Sequence, residues 1–380
     1  MENFIAYNPT KLHFGSGVIN NLGKAGKEYG ERVLLVYGKG SVLKNGSYDQ
    51  TKGQLEKIHA EIFEFSGIKP NPVIDDVDAA VRFGLSEKID YIVAVGGGSV
   101  IDSAKIISVC IAERCKGWDV MKNKVSIQSS VPMIAVLTLA ATGTEMNPVS
   151  VLQNNRTREK IGFSHPSMFP RHSFLDPTYT RTVPANYTAY GIVDLIAHAL
   201  ENFFGYGEAS LSDRFVEAII KEAFDCGPQL MKNLSDYDLR ARVMWAATNA
   251  LNGLTGYGRS SGDWGVHAIG HILSFLYDTP HGATLSIAYP AWLKHLKSRI
   301  PDRIRKLGEH LLDEPDVEKV IQQVENFFRS LNSPVRLQEI GINADKKMVI
   351  LELMNTNKVT GQHHRLDDSD RSIILDWMFS

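Results

Sequence analysis

Five side chains able to bind a cation recur at helical spacing in the second half of the chain. Asp194 and His198 stand four apart in Ile192-Val193-Asp194-Leu195-Ile196-Ala197-His198-Ala199-Leu200. His267 and His271 repeat the interval in Asp263-Trp264-Gly265-Val266-His267-Ala268-Ile269-Gly270-His271. Residues at i and i+4 leave the same face of a helix. The neighbours of Asp194 and His198 are apolar, so that face packs inward. A lone histidine there is ordinarily a satisfied core residue, but a carboxylate buried without a partner is costly, and a shared cation satisfies both. His281 adds a third imidazole, in a Pro/Gly turn (Thr279-Pro280-His281-Gly282-Ala283) before an apolar helix. One carboxylate with several imidazoles suits a first-row divalent ion such as iron or zinc. Spacing alone leaves five candidates for a site of about four ligands, with separate structural roles as the plain alternative. His363 and His364 are adjacent and cannot share a helix face, and His165 and His172 read as loop residues.

A second chemistry is suggested upstream. Ala94-Val95-Gly96-Gly97-Gly98-Ser99-Val100-Ile101-Asp102 reads as strand, glycine turn and helix start. Glycines let a backbone approach a phosphate, and the helix N-terminus offers free N–H groups and partial positive charge. The pattern is not the spaced G-x-G-x-x-G fingerprint; taken alone, it is equally a tight turn. Leu137-Thr138-Leu139-Ala140-Ala141-Thr142-Gly143-Thr144-Glu145 is rich in hydroxyls that could bond phosphate, ribose or carboxamide, or merely their own backbone.

The elements that must position these residues divide the chain. Val33 to Tyr37, Ile62 to Phe65, Tyr91 to Val95 and Pro132 to Thr138 read as short buried strands, separated by helical patterns such as Asp75 to Glu87. Such alternation argues for a parallel sheet covered by helices. From about Asn186 the pattern is helical, with Tyr190 to Phe204, Leu211 to Phe224, Leu239 to Leu254 and Trp264 to Leu276. The expected organisation is an α/β nucleotide-binding domain over 1–180 and an all-α metal- and substrate-binding domain over 181–380, with the active site in the cleft between them. The 380 residues favour two domains over one. At 43% hydrophobic, 22% charged and a net charge of −2, the chain reads as globular, without the clustered basic residues that nucleic acid requires. No signal peptide or membrane span is expected, and three cysteines without a CxxC suit a reducing cytoplasm. Cys110 reads as a buried small hydrophobe.

These residues, in this order, resemble the iron-containing (group III) alcohol dehydrogenases, in particular the butanol dehydrogenase-like branch of NAD(P)H-dependent aldehyde reductases. The resemblance also rests on Phe14-Gly15-Ser16-Gly17, Tyr37-Gly38-Lys39-Gly40-Ser41, Pro70-Asn71-Pro72, Leu175-Asp176-Pro177, Met244-Trp245-Ala246-Ala247-Thr248, Asn252-Gly253 and His281-Gly282. It implies the dehydroquinate synthase-like, two-domain architecture. It also implies metal ligands at Asp194, His198, His267 and His281, with His271 beside the metal and not a primary ligand. By its chemistry His271, or ordered water, could relay the proton, since an unperturbed imidazole titrates near neutrality. Cofactor contacts carry over to Gly38, Ser41, Asn71, Gly97, Gly98, Ser99, Asp102, Thr138, Thr142 and Lys160. A homodimer is expected. The metal is iron or zinc. NADP(H) is expected over NAD(H), because the end of the strand at Tyr37-Gly38 carries no carboxylate to repel a 2′-phosphate, and Lys39, Ser41 and Lys44 are near. A glycerol dehydrogenase- or dehydroquinate synthase-like metalloenzyme and a non-catalytic nucleotide- and metal-binding sensor are the alternatives. Mostly apolar metal-facing helices favour a small alcohol or aldehyde.

Overall fold

The computed structural model describes residues 1–380 and separates into two compact units. The first comprises residues 7–183 and 234–248. The second comprises residues 1–6, 184–233 and 249–380.

The first unit is built on eight strands: β1 (Lys11–Phe14), β2 (Arg32–Tyr37), β3 (Glu61–Phe65), β4 (Tyr91–Gly96), β5 (Met133–Leu137), β6 (Val149–Asn154), β7 (Glu159–Ser164) and β8 (His172–Leu175). Six form one sheet in the order β1-β8-β5-β4-β2-β3, every pairing parallel. Period-2 alternation sends Leu34, Val36, Ile92 and Ala94 to one face, where they meet α2 (Ile74–Ser86) and α3 (Gly98–Glu113). Val33, Leu35, Tyr91 and Val93 point to the other, against Ile19, Leu22 and Leu55, the last on α1 (Ser47–Lys57). Burial on both faces explains why these strands read as continuous apolar runs.

The chain passes from β2 outward to β3 and then to β4 on the opposite side of β2. The order therefore reverses between β2 and β4. Ligands of open parallel sheets bind beyond the carboxyl ends of the strands at such a point. Those ends lead into Gly38-Lys39-Gly40-Ser41 and Gly97-Gly98-Ser99.

Several short elements differ from the sequence reading. His172 is not a loop residue: it is buried in β8, and its Nδ1 lies 3.1 Å from His13 Nε2 on the neighbouring β1. β1 and β8 are four residues each, too short for a periodic signal. In the β6–β7 hairpin the buried face of β6 carries Ser150 and Asn154 beside Leu152, while Val149 and Val151 lie on its partly exposed face, so the sequence gave no apolar/polar alternation. Residues 234–248, downstream of the expected 180/181 boundary, group with the sheet. They carry most of α6 (Tyr237–Ala250), and Met244 joins the core on the α2–α3 face.

The second unit is helical. α4 (Ala185–Phe203), α5 (Ser210–Lys232), α7 (Gly265–Tyr277) and α8 (His281–Leu296) form its centre, and α6 (Tyr237–Ala250) precedes α7 in the chain. Further helices run over Pro301–Leu312, Val317–Ser330, Lys347–Thr356 and Asp368–Phe379. α4 and α8 are buried along most of their lengths, as helices apolar nearly all round must be. The three cysteines are free. No helix is long and apolar enough to cross a membrane.

Candidate metal and cofactor sites

Asp194 and His198 sit one turn apart on α4, 2% and 4% exposed. α7 brings His267 to the same place, and α8 begins with His281. Gly282 makes that approach possible. A Cβ there would stand 2.1 Å from the Tyr190 carbonyl oxygen, so only glycine lets the first turn of α8 lie against α4.

Three imidazole nitrogens surround one carboxylate oxygen. From Asp194 Oδ1, His198 Nδ1 is 3.7 Å away, His267 Nε2 3.9 Å and His281 Nε2 3.7 Å. These separations are too long for hydrogen bonds. They approach the edge of a tetrahedron with metal–ligand bonds of about 2.1 Å, roughly 3.4 Å. The ligating atoms of Asp194, His267 and His281 lie within 4.8 Å of one another. His198 stands at the rim of that group, and its buried Nδ1 has no hydrogen-bond partner. Burial, and then the neighbouring His267, hold His198 well below its ordinary pKa, so it is neutral. A carboxylate and three imidazoles gathered around one point fit a divalent metal. His281 is the most exposed of the four, its side chain 24% accessible. His271 lies beside it, ring centroids 5.5 Å apart.

Glu201 was not among the candidates. It is buried on α4, seven residues beyond Asp194, and its Oε1 lies 3.1 Å from His267 Nδ1. Burial pushes its carboxyl up to about 7, against the pull of N–H groups from His267, Trp264 and Val266. Asp263 adjoins it. Asp263 accepts N–H groups from Gly265, His363 and His364, which gives the adjacent C-terminal histidines a backbone role. Burial, then the nearby Glu201, raise the Asp263 carboxyl to about 6. The spacing Asp194, His198, Glu201 is i, i+4, i+7, one helical stripe, and was the available signal for Glu201.

In the sheet unit, the glycine loop and the Thr loop touch. A Cβ on Gly98 would meet the Thr142 side chain at 2.9 Å, so glycine is required for this approach. Thr138 N–H donates to the Gly96 carbonyl (3.0 Å), and Gly67 N–H to the Gly38 carbonyl (3.1 Å). The Ser99 hydroxyl donates to the Pro70 carbonyl. Lys160 Nζ donates to Asn71 Oδ1 at 2.8 Å. Ser41 is exposed and opens a single helical turn. Gly97 is extended, at φ −85° and ψ −169°. The structure thus gathers Asn71, Gly97, Gly98, Ser99, Thr138, Thr142 and Lys160 around the ends of β4 and β5, with Gly38 and Ser41 at the end of β2.

Asp102 points inward. Its Oδ1 accepts the Thr144 hydroxyl and its Oδ2 accepts the Val151 N–H at 2.9 Å. Lys105, one turn later, is fully buried and donates to Thr144 Oγ1 (2.6 Å), Asn147 Oδ1 (3.2 Å) and the Val149 carbonyl (2.6 Å). Burial brings this ammonium down to about 8, opposed by Asp102 and Glu145. The pair ties α3 to the Thr loop. Lys105 was missed because a lysine in an apolar helix reads as a surface position; an aspartate three residues before it was the signal.

Comparison with known proteins gives one answer across the chain. Residues 9–177 match the family described as iron-containing alcohol dehydrogenase, and residues 188–367 match the Fe-containing alcohol dehydrogenase family, C-terminal. The chain is 38% identical over 384 residues to the probable NADH-dependent butanol dehydrogenase 1 of Bacillus subtilis, covering 99% of each protein. It is 34% identical to the NADPH-dependent aldehyde reductase YqhD of Escherichia coli, covering 96% of each. The crystal structure of NADH-dependent butanol dehydrogenase A from Thermotoga maritima superposes with a TM-score of 0.96 at 36% identity, covering 100% of this chain and 99% of that one.

Proposed function

The chain belongs to the iron-containing alcohol dehydrogenase family and is an NAD(P)H-linked alcohol dehydrogenase/aldehyde reductase, and from that premise we propose that its working reaction is NADPH-dependent reduction of short aliphatic aldehydes at a divalent metal. The observation that carries this reading is three imidazole nitrogens 3.7–3.9 Å from one buried carboxylate oxygen. Asp194, His198, His267 and His281 would hold the metal, iron or zinc. The chemistry supplied by the bound groups is Lewis-acid polarisation of the substrate oxygen and hydride transfer to its carbonyl carbon.

The protein's own residues bind, orient and move a proton. Gly97, Gly98 and Ser99 receive the pyrophosphate at the N-terminus of α3, where free N–H groups and the helix dipole meet an anion. Gly38 and Ser41 at the end of β2, and Thr138, Thr142, Asn71 and Lys160 beside the glycine loop, would hold the rest of the cofactor. Asp102 supports this set through Thr144. His271 supplies the proton to the product alcohol oxygen. The preference for NADPH rests on β2, which ends in Tyr37-Gly38 without a carboxylate that would repel a 2′-phosphate. The names of the relatives divide between the two cofactors. A homodimer is supported by the open edge strand β1 and by exposed Phe14 and Trp245, whose rings meet at 5.9 Å. Glycerol dehydrogenase-like, dehydroquinate synthase-like and sensor readings are not favoured, since the relatives are named butanol dehydrogenases and aldehyde reductases.

The test is oxidation of NADPH and of NADH by purified protein with butanal, before and after chelation and after adding back Fe²⁺ or Zn²⁺. Turnover that chelation abolishes and metal restores is expected, with higher kcat/KM for NADPH. Turnover indifferent to metal, or none with any aldehyde, overturns the reading; better efficiency with NADH overturns only the cofactor preference.

A further inference from the structure

We propose that Glu201 is a positioning residue for the metal site: it holds His267 in the Nδ1–H tautomer, so that Nε2 faces Asp194. The proposal rests on the reading that Asp194, His198, His267 and His281 bind a metal. Its ground is a set of contacts converging on one side chain.

Glu201 Oε1 accepts the His267 backbone N–H at 3.0 Å and lies 3.1 Å from His267 Nδ1. Both Glu201 oxygens accept a backbone N–H, the arrangement that suits an ionised carboxylate, and with the carboxylate ionised Oε1 can only accept, so Nδ1 donates. That leaves the lone pair on Nε2, the atom 3.9 Å from Asp194 Oδ1. Oε2 accepts the Trp264 N–H at 2.6 Å, and the Glu201 carbonyl accepts the Asp263 N–H at 2.9 Å. One residue of α4 therefore grips the start of α7 at three backbone points and orients the ring that α7 delivers.

The grip has something to resist. Trp264 sits at φ +64°, a left-handed conformation uncommon for a bulky side chain. Such a residue persists only where its surroundings over-determine it. Here the Glu201 carboxylate satisfies the N–H groups exposed by the first turn of α7 and favours the positive end of its dipole. The effect on the metal is indirect. Carboxylates behind ligating histidines fix tautomer and ring direction, and their loss ordinarily weakens metal affinity ~10–100-fold. α4 thus supplies two ligands directly and determines the orientation of a third.

The tautomer is read without any variant. In metal-free protein labelled with ¹⁵N-histidine, long-range ¹H–¹⁵N spectra should show the Nδ1–H pattern for His267, assigned by its loss in His267→Asn. An Nε2–H pattern there overturns the proposal. In Glu201→Gln one acceptor becomes a donor, so Co²⁺ affinity, measured by competition with a chromophoric chelator, should fall ~10–100-fold. NADPH binding to the same metal-free variant should be unchanged. A folded Glu201→Gln protein with wild-type Co²⁺ affinity overturns the proposal. If that variant does not fold, Glu201→Asp takes its place, with the same fall expected because the shorter carboxylate withdraws from Nδ1. Wild-type protein that shows Nδ1–H yet binds no divalent metal means that the metal reading has failed, and with it the reason for the positioning.

Discussion

Polar side chains gather in both units, but they meet in opposite ways. In the helical unit, imidazole nitrogens stand 3.7–3.9 Å from the Asp194 oxygen, too far to bond to it and grouped around a common point. In the sheet unit, the candidate contacts already hold hydrogen-bond partners: Lys160 bonds to Asn71, Ser99 to the Pro70 carbonyl, and Asp102 to Thr144 and Val151. The first arrangement fits an ion, whose strong, short bonds demand fixed ligands. The second suits a long flexible cofactor, which is received by backbone N–H groups and displaces a few weak side-chain bonds. A variant in one unit should therefore spare the function of the other.

The strongest way to break that comparison is His198→Ala. Metal content should fall, and kcat/KM should drop by several kcal/mol of lost transition-state stabilisation, roughly 10³-fold, while the NADPH dissociation constant stays at its wild-type value. A metal-replete, active variant contradicts the assignment of His198. His271→Ala should keep its metal and lose roughly 10²-fold in kcat, the lower range for a missing general acid. Near-normal turnover across the pH range would remove the proton role.

Gly98→Ala probes the other region. Its methyl meets the Thr142 side chain at 2.9 Å. Overpacking of this kind costs about 1–3 kcal/mol, so the NADPH dissociation constant should rise on the order of tenfold with metal content unaltered. Equal NADPH binding would show that the loop opens without penalty.

The smallest effect separates the units by pH. Burial works to raise the Asp370 carboxyl, but Arg299, the Asp367 N–H and His295 outweigh it and bring the pKa from 3.8 to about 2. Its folded value lies below its unfolded one, so its stabilisation is complete above pH 3.8 and is lost as pH falls through about 2. Arg299 is half-exposed, which limits the contribution to roughly 1–2 kcal/mol. Asp102 in the sheet unit moves the other way: burial raises it, so its stabilisation belongs to low pH and is lost as pH rises through the folded value. Urea midpoints between pH 5 and pH 2 should fall less steeply for Asp370→Asn than for wild type. An identical acid slope would remove this distinction.

The sequence by itself determined β2 to β5 and the helical second half, because strands covered on both faces and helices buried all round announce themselves as apolar runs. It also determined that Asp194 shares a helix face with His198 and His267 with His271, since a helix puts i and i+4 on one face. It could not bring α4, α7 and α8 together. The convergence of Asp194, His267 and His281 depends on packing between helices far apart in sequence, including the contact that Gly282 permits against Tyr190. The same holds for Glu201. Its place on the Asp194–His198 stripe was legible, but its partner is a ring nitrogen 66 residues later in the chain, and only the fold supplies that hydrogen bond.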